Sequence, residues 1–237
     1  METLNALLAA GGVCAAGGIF AWGAVAPGAQ LFGPTIRRTG DGSAMALTFD
    51  DGPNPAITRG LLDLLDHFAA KATFFLIGER VRAFPELARE IAQRGHTIGN
   101  HTESHRALTF LPARGIADEL ARCDEAIETA TGRRASGMRP PWGFRGPQLQ
   151  KVMRGRVDVR VVMWSVAAYD WKVQAAERVI RRLRGAGGGD IVLMHDGDHR
   201  VREGDRRHTV AALEYWLPRW KDSGLRFVTV DELPGKK

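Results

Sequence analysis

The chain has 237 residues, of which 44% are apolar and 25% charged, with a formal net charge of +6. This composition is typical of a globular protein with one large domain or two small ones. Its arginines are scattered and form no dense basic run. This charge pattern argues against a nucleic-acid binder and is compatible with binding to an anionic polymer or a membrane surface. The two cysteines, Cys14 and Cys123, argue against a disulfide framework.

The N-terminus is a candidate membrane anchor. Leu4 to Val25 contains no charged residue, and about 20 apolar residues span a bilayer. We predict an uncleaved anchor over residues 1–25. A cleaved signal peptide is the alternative, because Ala24-Val25-Ala26 has the small-x-small form, but Pro27 follows it and no Lys or Arg precedes the apolar run.

Beyond a predicted linker at residues 26–43, strand and helix patterns alternate through residues 44–237, which we predict to be one domain. The predicted strands are Met45 to Phe49, Ala72 to Ile77, Thr97 to Asn100, Val157 to Trp164, Ile191 to Met194 and Arg226 to Val230. The predicted helices are Ile57 to Phe68, Phe84 to Arg94, Ile116 to Thr131, Val173 to Leu183 and Val210 to Lys221. This alternation indicates an α/β fold with a parallel sheet, open or closed into a barrel.

Two adjacent carboxylates, Asp50 and Asp51, end the first of these strands. The Gly-Pro-Asn-Pro run after them cannot continue a strand. The C-terminal ends of strands are where barrels and open α/β sheets place their chemistry. A simple turn is the alternative interpretation.

A pair of histidines, His101 and His105, follows the strand that ends at Asn100. Their spacing predicts that both lie on one face of a helical turn, from which they can reach one metal ion. With Asp51 they would form a set of two histidines and one carboxylate that leaves coordination positions open. Two surface histidines without a metal are the alternative.

Three further segments carry polar or aromatic groups, and two of them follow predicted strands. The proline pair in Arg139-Pro140-Pro141-Trp142 fixes an extended backbone and suggests a rigid loop. Asp170-Trp171 suits sugar stacking, although core packing explains aromatic residues equally well. His195 follows a buried apolar strand, which favours a general acid or base over a structural histidine.

Taken in order, five segments resemble the successive motifs of the polysaccharide deacetylases, which form carbohydrate esterase family four and share the NodB-homology domain. They are Thr48-Phe49-Asp50-Asp51-Gly52-Pro53, His101-Thr102-Glu103-Ser104-His105, Arg139-Pro140-Pro141-Trp142-Gly143, Asp170-Trp171 and Leu193-Met194-His195-Asp196. The resemblance runs from about Ala44 to Val230. It implies a distorted (β/α)7 barrel and a divalent metal, usually zinc, with cobalt as the alternative.

The resemblance also implies roles for the residues around the metal. Asp50 matches the catalytic base, and Asp51, His101 and His105 match the metal ligands. Arg139 matches the arginine that orients the base.

On the other side of the site, His195 matches the proton donor and Asp170 the acid that orients it. The backbone N–H of Trp142 matches the donor to the oxyanion, and Trp171 and Leu193 resemble walls of the acetyl pocket. The fourth motif often opens with an acid where this chain has Ala167, which leaves fine details of the site open.

These implied roles predict a metal-dependent hydrolase that removes acetyl groups from N-acetylated, or alternatively O-acetylated, sugars of an envelope or related polysaccharide. The expected partners are that glycan and a membrane, with no nucleic acid, and we expect a monomer. We expect the domain outside the cytoplasmic membrane, or secreted after signal cleavage, although Arg37 and Arg38 favour a cytoplasmic domain by the positive-inside rule. A silent membrane-tethered glycan-binding module and a non-haem iron enzyme are the alternatives.

Overall fold

The structure, a computed structural model, describes residues 17–234. Its strands are β1 (Thr35–Ile36), β2 (Ala44–Asp50), β3 (Ala72–Leu76), β4 (Thr97–Asn100), β5 (Val161–Val162), β6 (Val166–Ala167), β7 (Ile191–His195) and β8 (Arg226–Phe227). Its helices are α1 (17–25), α2 (Thr58–His67), α3 (Gly78–Ala83), α4 (Pro85–Gln93), α5 (Ala113–Thr131), α6 (Pro147–Arg154), α7 (Ala176–Arg182) and α8 (Arg207–Asp222).

The central sheet is parallel and has β2 in its middle. Its strand order is β4-β3-β2-β7-β6, with β8 beside the start of β2. Every residue of β2, β3, β4 and β7 is buried. Strands of a parallel sheet are covered on both faces, and their sequences are therefore nearly continuous apolar runs.

Parallel bridges at Met138 close this sheet into a distorted barrel. Met138 pairs with Asn100 of β4 on one side and with Val161 of β5 on the other, while β6 pairs with β7. The predicted α/β fold with a parallel sheet is confirmed. The single strand predicted over Val157 to Trp164 was wrong in extent, because only Val161–Val162 of this stretch pairs as a strand, and residues 157–158 form a turn.

The register brings the carboxyl ends of the strands to one edge of the barrel. Asp50 is opposite His195 of β7 and Phe75 of β3, and Leu76 of β3 is opposite Asn100 of β4. Residues that follow β2, β4 and β7 in the chain are therefore neighbours in space.

The main core lies between the sheet and the helices that pack around it. Phe49 and Phe74 stack at a ring-centroid distance of 5.0 Å within this core. Leu61 and Leu65 of α2 and Leu213 of α8 are fully buried against it. This apolar packing holds the strand ends in place.

Residues 26–43, predicted to be a linker, pack against the domain. β1 pairs with β5, and Ala29 is fully buried. The buried Arg145 donates a hydrogen bond from Nη1 to the Ala29 carbonyl at 2.7 Å and another from Nη2 to the Ala26 carbonyl. The segment is thus tied to the domain near its N-terminal end and through β1.

Within the described residues 17–234, no helix is both long and apolar enough to cross a membrane. Most of the predicted anchor, Leu4 to Val25, lies outside these residues. The membrane anchor therefore stays a prediction.

Candidate metal and catalytic site

The turn after β2 directs two adjacent carboxylates into one site. Asp51 has a φ of 72°, so the chain leaves the strand in a left-handed conformation. As a result, His101 Nε2 lies 3.4 Å from Asp51 Oδ1 and 3.8 Å from Asp50 Oδ2. Both carboxylates are buried, at 4% exposure each.

The two histidines reach this site from a loop, so the predicted helical turn was wrong. Residues 101–107 contain no helix, and His105 has a φ of 54°. Glu119 of α5 accepts hydrogen bonds from the backbone N–H and the hydroxyl of Ser104, which holds the loop away from helical geometry. The inference that both rings reach one point is confirmed, since His105 Nε2 lies 3.2 Å from Asp51 Oδ1.

The arrangement of Asp51, His101 and His105 fits a divalent metal ion. One ligand atom from each residue lies within 4.8 Å of the others, and all three residues are buried. Asp51 Oδ1 is buried without a hydrogen-bond partner, as expected of an oxygen reserved for a cation. The Arg139 carbonyl accepts a hydrogen bond from His101 Nδ1 at 2.8 Å, which leaves Nε2 unprotonated to bind a metal.

The pKa shifts of these groups favour the protonation states that bind metals. Burial lowers the pKa of His105, which outweighs the opposing effect of Asp51 and favours the neutral ring. Burial alone would raise the pKa of Asp51, but the facing nitrogens of His101, His105 and His199 hold it well below its usual value. A neutral imidazole and an ionised carboxylate are the forms that ligate metals.

Arg139 holds the proposed base, Asp50, in a fixed position. Its Nη1 donates hydrogen bonds to Asp50 Oδ1 at 2.7 Å and to Thr48 Oγ1 at 2.8 Å. Its other donors go to backbone carbonyls of Val162 and Met163. Each nitrogen of the fully buried guanidinium thus has a hydrogen-bond partner. Asp50 Oδ2 is left facing His101 Nε2.

Asp170 holds His195 at the end of β7, where His195 is the register partner of Asp50 in β2. Its Oδ1 accepts a hydrogen bond from His195 Nδ1 at 2.8 Å, and its Oδ2 accepts from the His195 backbone N–H and the Thr209 hydroxyl. Burial would lower the pKa of His195, but the Asp170 charge and hydrogen bond outweigh it and raise that pKa to about 9. His195 is therefore protonated at neutral pH.

Aromatic side chains flank the opening of the site. Trp142 is 45% exposed and packs edge-on against His105. Trp171 is 43% exposed, with its ring centroid 6.2 Å from that of His195. Leu193 is buried in β7, two residues before His195. The role of these three residues as walls of an acetyl pocket stays a prediction.

Backbone strain is concentrated at this edge of the barrel. Six non-glycine residues in the described part of the chain have a positive φ, and all but Ala69 lie in the site loops: Asp51, Thr102, His105, Trp142 and Tyr169. Such conformations cost about 1–3 kcal/mol each and cluster at functional sites.

The sequence interpretation missed several residues at the site. Thr48 is in the quoted first motif, but its hydroxyl was assigned no role; it donates to the Val192 carbonyl at 2.6 Å and so ties β2 to β7. Thr209 and His208 bind Asp170 from α8, which no local pattern could have indicated. His199, whose Nδ1 lies 3.6 Å from Asp51 Oδ2, had a signal in its position four residues after His195.

Comparison with known proteins defines the class. A family model described as "Polysaccharide deacetylase" matches residues 37–156. A chitooligosaccharide deacetylase of Azorhizobium caulinodans is 33% identical over 197 residues, which cover 80% of this chain and 93% of that protein. The chain belongs to the polysaccharide deacetylase family, as the five motifs predicted.

A longer relative and a relative of known structure are similar to this chain as well. The peptidoglycan-N-acetylglucosamine deacetylase PgdA of Listeria monocytogenes serotype 1/2a (strain 10403S) is 35% identical over 205 residues; these cover 86% of this chain but only 41% of that relative's length. The crystal structure of the Bc1960 peptidoglycan N-acetylglucosamine deacetylase superimposes with a TM-score of 0.75 at 33% identity, covering 81% of this chain and 90% of that one. The deacetylase fold expected from the sequence is therefore confirmed.

Proposed function

We propose that this protein hydrolyses the N-acetyl groups of an acetylated glycan, releasing acetate and a free amino sugar. The observation that carries the proposal is the joint placement of two pairs, Arg139 with Asp50 and Asp170 with His195, at neighbouring strand ends beside a buried triad whose ligand atoms could hold a metal ion. Amide hydrolysis requires a base to activate water and an acid to protonate the departing nitrogen. The site offers one of each.

Asp51, His101 and His105 would hold the metal, with zinc as our proposal and cobalt as the alternative. A divalent cation bound there would polarise the acetyl carbonyl and lower the pKa of water towards ~7. Three protein ligands leave room for water and substrate, as in catalytic zinc sites.

Asp50 would accept the proton of the attacking water through Oδ2, because Arg139 occupies Oδ1. The oxyanion that develops on the acetyl carbon would be stabilised by the Trp142 backbone N–H, and one such donor is worth roughly 3–4 kcal/mol. His195 would then donate its proton to the sugar nitrogen, since an amine anion cannot depart unaided.

The base–acid pair also favours hydrolysis over oxygen chemistry. A non-haem iron enzyme would use the same two histidines and one carboxylate, but it has no need for both a base and a general acid beside the metal. Metal analysis and oxygen uptake separate the two functions.

The proposal is tested by measuring acetate release from a panel of acetylated glycans: chitooligosaccharides, peptidoglycan and acetylated xylan. We expect release from at least one N-acetylated glycan, and the preferred glycan names the substrate. The matched control is Asp50→Asn, which removes the base and leaves the metal ligands intact. A wild-type protein that binds these glycans but releases no acetate would instead be a silent binding module.

A further inference from the structure

We propose that His199 is a positioning residue of the metal centre, which orients the ligands Asp51 and His105 without binding the metal itself. This inference rests on the metal-binding triad of the proposed function. It comes from three observations: the contacts of the His199 ring, the unpaired nitrogen of His105, and the anchoring of the His199 loop (residues 197–206).

The contact with Asp51 assigns its two oxygens to different partners. His199 Nδ1 lies 3.6 Å from Asp51 Oδ2, while Oδ1 faces His101 and His105. At this distance an Nδ1–H would attract Oδ2 electrostatically, without forming a full hydrogen bond, and would leave Oδ1 for the metal. Groups that hold a ligating carboxylate in this way fix its orientation.

The contact with His105 replaces an interaction that ligating histidines normally have. A metal-bound histidine almost always donates its second ring N–H to a carboxylate, carbonyl or water, as His101 does to the Arg139 carbonyl. His105 Nδ1 is buried without a hydrogen-bond partner. Its ring is held by packing instead: His199 stacks on it at a centroid distance of 4.3 Å, and Trp142 meets it edge-on at 4.5 Å.

The stacked geometry argues against His199 as a fourth ligand. The planes of the His105 and His199 rings differ by only 19°. A nitrogen lone pair lies in the plane of its ring. The lone pairs of the two stacked rings therefore lie in nearly parallel planes, so a metal bound by His105 would lie outside the plane of the His199 ring. The His199 ring is thus placed to support the ligands rather than to join them.

The His199 loop is built to hold this ring in place. Arg80 Nη2 donates to the carbonyls of Asp198 and His199 at 3.0 and 3.3 Å, and Arg206 Nη2 donates to Asp198 Oδ2 at 2.8 Å. Asn54, which follows Asp51 by three residues, donates to the Gly204 carbonyl at 2.9 Å. All three donors are buried, so the loop is anchored to the interior of the domain.

The test is the zinc dissociation constant of the purified full chain, measured by competition with a chelator. Supporting groups of this kind are typically worth about 10–100-fold in metal affinity, so we expect that loss for His199→Ala. His199→Phe keeps a ring to stack on His105, and His199→Asn keeps a donor near the position of Nδ1. Each of these two variants should therefore bind zinc more tightly than His199→Ala and less tightly than the wild type.

The matched control is His67→Ala on the exposed face of α2, which should bind zinc as tightly as the wild type. Circular dichroism of the metal-free variants checks that the fold is retained. Absorption spectra of the cobalt-loaded proteins report the ligand set, and we expect His199→Ala to keep the wild-type band positions because no ligand is lost.

Two results would overturn the proposal: wild-type zinc affinity in folded His199→Ala, or a cobalt spectrum showing that this variant has lost a nitrogen ligand. Failure of the proposed function would give a different result. A wild-type protein that binds zinc but releases no acetate would contradict the proposed activity and would not contradict the role of His199.

Discussion

At the scale of single residues, two neighbouring carboxylates carry different roles. Asp51 faces both histidine rings, whereas Asp50 is engaged by Arg139. We therefore expect Asp50→Asn to retain stoichiometric zinc but to lose ~10²–10⁴-fold in turnover, the usual contribution of a general base. Asp51→Asn should instead lose zinc. Atomic absorption with an acetate assay checks both, and the reverse pattern would show that the roles are exchanged.

His195 is expected to act as the general acid. His195→Ala should lower kcat by ~10²–10⁴-fold with unchanged metal content, because the ring does not touch the ligand nitrogens. Near-normal activity of this variant on amide substrates would mean that another residue donates the proton.

Asp170 should set the pH range over which His195 works. The pKa of His195 is raised to about 9, so the active protonated form is present below that pH and is lost as pH rises through it. The alkaline limb of kcat/KM should lie near pH 9 in the wild type. It should move to lower pH in Asp170→Asn, since the imidazolium loses its stabilising charge.

A double-mutant cycle tests whether this pair acts as one unit. If Asp170 works through His195, the losses from Asp170→Asn and His195→Ala should not multiply. Independent, multiplicative losses would show that Asp170 has a separate function.

At the scale of elements, the turn after β2 depends on close packing against the segment after β7. A Cβ added at Gly52 would overlap with the carboxylate of Asp196, which is buried and hydrogen-bonded to Thr58 at 2.5 Å. Burial raises the pKa of Asp196 to about 7, because the charged carboxylate is poorly solvated there. The lack of a side chain at Gly52 therefore allows the turn after β2 to pack against the segment after β7.

We expect Gly52→Ala to destabilise the fold by about 1–3 kcal/mol, as overpacking does. Gly60→Ala is the matched control: Gly60 lies in α2 with nothing within 4 Å of its added Cβ, so this change should be neutral or stabilising by up to about 1 kcal/mol. Thermal unfolding of the two variants measures the difference, and equal midpoints would argue against tight packing at this turn.

Elements with strong local signals could be predicted from the sequence. The span of β4 was predicted to the residue, and the end of α5 was marked by Gly132, which has the left-handed φ of 69° expected of a helix C-cap. The five polar segments also predicted where the site lies, because the carboxyl ends of parallel strands lie at one edge of the sheet.

Features that depend on distant contacts could not be predicted. The spacing of His101 and His105 suits a helix, but Glu119, 15 residues after Ser104, draws the loop into another conformation. β5 is short because it pairs with β1, whereas the next strand, β6, pairs with β7. His199 reaches Asp51 across 148 residues of chain, and its spacing of four residues from His195 does not indicate which residue it contacts.

At the scale of the whole molecule, the attachment of residues 24–29 to the barrel bears on where the protein works. The Arg145 backbone N–H donates to the Ala24 carbonyl at 3.0 Å, and its guanidinium binds the carbonyls of Ala26 and Ala29. Ile19, Phe20 and Trp22 in the preceding helical residues are each more than half exposed. An apolar surface of this kind is suited to lipid contact.

We propose that Leu4 to Val25 holds the domain outside the cytoplasmic membrane, close to an envelope glycan. Protease added to spheroplasts of cells expressing the full chain should then digest the domain, while a cytoplasmic marker protein stays intact. Complete protection until detergent is added would place the domain in the cytoplasm, as Arg37 and Arg38 suggest by the positive-inside rule.

The central claim is that a metal held by Asp51, His101 and His105 is required for deacetylation. It is tested most directly by measuring acetate release from an N-acetylated glycan with the metal-free protein and again after adding back zinc or cobalt. Our account predicts no release without metal and recovery of activity once about one equivalent is bound. Full activity in a protein verified to be metal-free would contradict it.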